Sequence, residues 1–183
     1  MAGRPMSYLL DDILDKLSSP IGYVHEYASF QLAMLMEKNS RPSDEEGFYE
    51  SVLPPELLAI ELSEREQEEI LTEIAKKTYP ADVTTSFLWA VGKSSPRAGL
   101  PVLLRFLSEH SDLVDDANAS YQAVIALENC LDHDKDESAP LAEDRSETSV
   151  VFGFLQKGSS SSDERLAEHS SRLLKRLRLK KPR

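Results

Sequence analysis

The sequence predicts an all-α protein, a short irregular solenoid of about four stacked helical hairpins. Three observations predict it. Apolar residues recur at spacings of three and four along most of the chain, the period of helices buried on one face. Glycine is scarce, 7 in 183 residues, too few for a turn-rich all-β fold. A short pattern also repeats, Ala28-Ser29-Phe30-Gln31 returning as Ala119-Ser120-Tyr121-Gln122. An irregular helical bundle is the alternative, because the same periodicity serves both.

In the first hairpin, Leu10, Ile13, Leu14 and Leu17 share one helical stripe, with Ser7 as N-cap. Ser18-Ser19-Pro20-Ile21-Gly22 breaks it. The second helix, 23–38, places Val24, Tyr27, Ala28, Leu32 and Leu35 along an apolar stripe. Residues 39–47 are polar and read as a loop. Phe48 to Leu53 gives one turn, and Pro54-Pro55 suits the start of a short helix reaching Leu62. Ser63-Glu64-Arg65-Glu66 is a capping box that opens the second hairpin, followed by Ile70, Leu71, Ile74 and Ala75. Lys76 and Lys77 complement that helix's dipole. Tyr79-Pro80 stops it, and residues 82–91 return with Val83, Phe87 and Ala90 inward and Gly92 as the stop.

Pro101 opens the third hairpin, with Val102, Leu103, Phe106 and Leu107 on its apolar face. Its partner spans 112–131 and is rich in alanine. Residues 132–147 are acidic and read as an exposed loop. Val150 to Leu155 starts the fourth hairpin. Gly158 and Ser159 to Ser162 connect it to a last helix, capped by Asp163 and carrying Leu166, Leu173, Leu174 and Leu177.

Ser29, Ser86, Ser120 and Ser170 fall at matching places in the four second helices, where a small side chain lets neighbouring helices approach closely. Residues 99–107 as a first helix and 115–131 as a second, with an early proline in one and an early aspartate in the other, resemble the unit of the HEAT/armadillo-like α-solenoid class. The spacing of the units is uneven, a departure from that class. The resemblance implies an extended concave face lined by second helices. Around it lie Glu26, Gln31, Thr85, Asn118, Gln122 and His169, the candidate binding residues.

Formal net charge is −11. Seven basic residues and no acidic one lie from Arg172 to Arg183, so residues 1–171 carry the difference, −18. The chain therefore reads as a single helical-repeat-like domain, 1–171, with a basic helix end and tail, 172–183. Such a body repels nucleic acid and anionic lipid and suits a basic protein partner. That fits an adaptor, or an immunity or antitoxin protein. A nucleic-acid-binding or modifying helical-repeat protein is the alternative carried by the tail, though the tail holds no aromatic for base stacking. No apolar run approaches the ~20 residues of a membrane span. The single cysteine and the absence of a secretory h-region after Ser7 point to the cytoplasm.

No glycine-rich phosphate loop, zincin motif or nucleophile elbow is present, and no cofactor or enzymatic activity is expected. His25-Glu26 reads as an exposed helix start in preference to an acid–base pair. Cys130 reads as a small buried hydrophobe. Asp132, Asp134 and Asp136, with Glu143 twelfth in the run, have the alternation of a calcium loop. However, Glu137 stands where that loop needs glycine, so a solvated acidic loop is the stronger reading and a calcium-responsive domain the weaker one.

Overall fold

A computed structural model describes residues 5–77, 79–132 and 145–179. Among the described residues the chain is all-helical, without a strand. The helices are α1 (Pro5–Leu17), α2 (Gly22–Ser40), α3 (Phe48–Val52), α4 (Pro55–Leu58), α5 (Glu64–Ala75), α6 (Ala81–Lys93), α7 (Pro96–Glu109), α8 (Ala117–Asp132), α9 (Arg145–Gly158) and α10 (Glu164–Leu179). A 3-10 turn, Leu113–Asp115, precedes α8.

The long helices form two rows. In one, α2, α6, α8 and α10 are successive neighbours; in the other, α5, α7 and α9 are. The hairpins α1–α2, α7–α8 and α9–α10 join the rows, and α6 packs on α7. Side-chain ties fix the direction of the first row. His25 near the start of α2 meets Asp82 at the start of α6, and Glu37 near the end of α2 meets Lys93 at the end of α6. Asn118 and Arg165 join the starts of α8 and α10. Arg41 at the end of α2 donates to the Asn129 carbonyl in the last turn of α8 at 3.1 Å, so all four helices of this row run parallel.

The local signals explain the helix starts. At α5 the Ser63 Oγ accepts the Glu66 N–H at 3.3 Å, and the Glu66 carboxylate accepts the Ser63 N–H at 2.8 Å. The Ser63 hydroxyl, donating to the Glu66 carboxylate at 2.7 Å, and then the Ser63 N–H hold that carboxyl below the usual carboxylate range. Asp116 Oδ1 accepts the N–H groups of Asn118 and Ala119, both at 3.0 Å, at the head of α8. Asp163 does the same for Leu166 at the head of α10.

Between the rows lies one apolar core, with Phe87 packed on Phe106 at 5.6 Å and Leu71, Ile74, Leu88, Leu103, Leu127 and Leu155 wholly buried. A polar bracket closes one end of it. Gln67 is 0 % exposed; its carbonyl accepts the Ser95 N–H at 2.9 Å and faces the Ser40 hydroxyl at 2.9 Å, and its amide reaches the Asn39 and Leu62 carbonyls at 3.4 Å. Asn39 continues it, accepting the Leu62 N–H at 2.7 Å.

Several sequence expectations are corrected. The third hairpin opens at Pro96, not Pro101, which lies inside α7; proline suits the first turn equally well at either place, and Pro96 comes first. Its partner is a 3-10 turn and then α8, because Asp116 is extended and caps the helix. The first helix already includes Ser7, and the last hairpin begins at Arg145, ahead of Val150. Gly92 does not stop α6, which continues to Lys93. A Cβ at Gly92 would lie 3.1 Å from the Ala126 Cα, so it is the glycine that lets α6 and α8 approach. Ser86 was expected in that role and is half-exposed instead. Gly158 is the buried last residue of α9, pressed against Ser170, and not part of the connector.

Candidate interaction surface

Along the outer side of the row α2–α6–α8–α10, aromatic and charged side chains alternate. On α2, Tyr23 and Tyr27 are one turn apart and 74 % and 53 % exposed. Tyr27, expected in the core stripe, is exposed instead. At 100° per residue, Glu26 and Phe30 lie on the adjoining stripe, towards α6. Phe30 stacks on Trp89 of α6 with centroids 6.1 Å apart and 28° between planes. The Lys93 ammonium sits 6.0 Å from the Trp89 ring centroid and pairs with Glu37 at 2.5 Å.

At the α8–α10 seam Tyr121 lies between Arg165, whose guanidinium carbon is 5.3 Å from the ring centroid, and the edge-on His169 ring at 5.2 Å. Arg172 grips Glu128 with Nη2 at 2.9 and 3.0 Å from its two oxygens. That carboxylate holds the guanidinium more firmly protonated than usual. Arg172 Nη2 also donates to His169 Nδ1 at 2.7 Å. A Glu128 oxygen lies 3.2 Å from the same Nδ1, so the guanidinium, the carboxylate and the imidazole form one cluster.

Five of the six candidate residues lie on this side of the row. Glu26 and Asn118 are exposed, and Thr85, Gln122 and His169 half-exposed. Asn118 accepts from Arg165 at 3.3 Å, and the Thr85 hydroxyl donates to the Ala81 carbonyl at 2.9 Å. Gln31 is the exception, 4 % exposed, because one residue beyond Phe30 turns it inward. Sequence reasoning missed Tyr23, Tyr27, Trp89, Tyr121 and Glu128. The tyrosine pair at a four-residue spacing was the available signal, and it reads equally as core.

His25 is not an exposed helix start. It is buried, with Nε2 3.0 Å from Asp82 Oδ2 and Nδ1 3.4 Å from the Ser19 carbonyl oxygen, and it ties the α1–α2 turn to α6. Glu26 takes no part. In the other row, a groove of about 260 Å³ between α5 and α7 has Thr72, Ala75, Val102 and Phe106 as floor and Lys76, Arg105 and Glu109 at its rim.

Cys130 is buried at the end of α8, and burial pushes its thiol up to about 12 from an ordinary 9.0, against the opposing charge of Arg41. The folded state therefore keeps a proton that the unfolded chain loses above pH 9.0. Below that pH the group has no effect on stability. Between 9.0 and about 12 the native chain is expected to lose about 1.4 kcal/mol per pH unit relative to Cys130→Ala. Paired urea titrations at pH 8 and pH 10.5 measure this; parallel curves for the two chains would refute it.

Among the described residues no group of three His, Cys, Asp or Glu side chains could hold a metal ion, and no helix is long and apolar enough to cross a membrane. Asp134, Asp136 and Glu143 of the expected acidic loop lie outside the described residues, as does the side chain of Asp132, which ends α8. No family model, curated protein or solved structure matches the chain.

Proposed function

We propose that this protein is a non-enzymatic protein-interaction module of HEAT/armadillo-like build, acting in the cytoplasm as an adaptor or an immunity-type protein. It docks a basic partner on the outer side of the α2–α6–α8–α10 row. The observation that carries this reading is the Phe30–Trp89 stack flanked by Glu26, Glu37 and Lys93. Half-exposed aromatic rings held rigid by neighbours, with charges around them, are what interface centres are made of. The −18 body favours a cationic partner and speeds its approach. Glu26, Thr85, Asn118, Gln122 and His169 surround the aromatic centre as a polar rim.

Affinity purification from native lysate, read by mass spectrometry, identifies the partner. Binding is then expected to weaken steeply with salt, and Trp89→Ala to cost at least about tenfold in Kd, as buried interface tryptophans do. A partner whose affinity is unchanged by Trp89→Ala and by salt would sink the proposal.

A further inference from the structure

The large apolar side chains that the described residues leave exposed are gathered on one hairpin. They are Tyr8 on α1, Ile21 in the turn, and Tyr23 and Tyr27 on α2. Scattered single apolar groups are ordinary on a surface, but a set confined to one element marks a contact site. The two α2 rings stand one turn apart, with about 5–6 Å between their Cβ atoms. Met34 lies at the same angle on α2, two turns beyond Tyr27, and is buried. The bare stretch is therefore the beginning of the helix. This helix also stands at the edge of its row, with α6 on one side and no further helix of the row on the other.

The free charges around these rings have one sign. Asp11 and Asp15 share the exposed stripe of α1 with Tyr8, and Glu26 lies between Tyr23 and Tyr27 in the chain. All three acids are exposed, and none has an ion pair among the described residues. Only residues 18–21 join the two helices, so Asp15 stands level with the beginning of α2. The one lysine or arginine between Tyr8 and Tyr27 is Lys16, already held by Asp12 at 2.5 Å. His25 is turned inward to Asp82. Nothing on the hairpin therefore neutralises the acids that flank its exposed tyrosines.

We propose that the α1–α2 hairpin receives an arginine-bearing segment of the basic partner, its guanidinium groups laid on the Tyr23 and Tyr27 rings and held by Asp15 and Glu26. This deepens the reading given above and rests on it for the partner's charge, while using rings outside the Phe30–Trp89 centre. Arginine fits better than lysine. Its planar group stacks on an aromatic face, forks onto a carboxylate, and sheds water more easily than an ammonium does. Its aliphatic stem covers Ile21 and the ring edges. Two arginines one turn apart on a partner helix match the spacing of the two tyrosines. A second copy of this chain is the poorer occupant, because a symmetric contact would set Asp11, Asp15 and Glu26 against acids of the same patch.

Two peptides of equal charge, octa-arginine and octa-lysine, titrated into the full chain at about 50 mM salt, test this. Octa-arginine is expected to bind more tightly by about fivefold or more, with backbone amide shifts centred on residues 21–27. Tyr23→Leu/Tyr27→Leu keeps the charge and much of the apolar area but removes the rings. It is expected to bring the two peptides within about twofold of each other. Both tyrosines are more than half exposed, and unchanged thermal melting of the variant confirms its fold. An arginine preference that survives the loss of both rings, or shifts centred on the acidic face of α5, overturns the proposal. A preference abolished by Trp89→Ala and kept by the leucine variant overturns it too, while leaving the basic-partner reading in place. Sedimentation that shows a dimer dependent on the tyrosines assigns the patch to a second copy and likewise overturns it. The purified partner's response to salt and to Trp89→Ala, which decides the reading above, is a separate measurement.

Discussion

Gln67→Leu is expected to lower the free energy of unfolding by about 3–5 kcal/mol, although leucine fills nearly the same space. Gln67 is fully buried and serves three segments at once: the end of α2 through Asn39 and Ser40, the α4–α5 link through Leu62, and the start of α7 through Ser95. Leucine leaves the Ser95 N–H and the Leu62 and Asn39 carbonyls short of a partner in an apolar setting, each costing about 1–3 kcal/mol, partly offset by the leucine's own burial. The bond that the Ser95 hydroxyl donates to Glu64 at 2.7 Å does not satisfy the Ser95 N–H. Urea unfolding measures the difference. A loss below about 1 kcal/mol would show that the bracket is replaceable by apolar packing.

Gly99→Ala comes second, at about 2–3 kcal/mol of destabilisation. A Cβ there would lie 2.8 Å from the Val91 carbonyl oxygen, 2.5 Å from Ser94 Oγ and 3.2 Å from Cys130 Sγ. The carbonyl belongs to the backbone of α6 and cannot swing aside, so α7 must move away from the α6–α7 corner. Two companions calibrate the effect. Ser94→Ala in the same chain is expected to recover only part of the loss, since the carbonyl contact remains. Gly153→Ala, in the middle of α9 with nothing within 4 Å of its added carbon, is expected to stabilise by about 0.5–1 kcal/mol. Thermal melting of the three variants orders them; equal melting points for Gly99→Ala and Gly153→Ala would remove the steric account.

Most of the helices were legible because their signals are local. The Ser63–Glu66 box and the Asp163 cap bond within one turn, so residue types and spacing suffice to find them. What escaped depended on partners far away in sequence. Gly92 resembles a helix stop until Ala126 of α8 is seen against it. Tyr27 fits an apolar stripe, and only the position of α2 at the edge of the row leaves it bare. Pro101 follows a glycine and a leucine like a helix start, while Pro96 had already begun α7. The candidate surface was legible at the level of which helices form it. Its aromatic centre was not, because Phe30 and Trp89 come from helices whose pairing no local pattern encodes.

Arg41, the residue that ends α2, reaches past the neighbouring helix of its row and donates to the Asn129 carbonyl in the last turn of α8 at 3.1 Å. An array in which each hairpin touches only the next can fray from its ends, losing units one at a time. A brace that skips a position, together with the Gln67 bracket between first and third hairpins, changes that statistics. The end of α2 cannot peel away without uncovering the carboxyl end of α8, so α2, α5, α6, α7 and α8 melt as one cooperative block and partly unwound forms are suppressed.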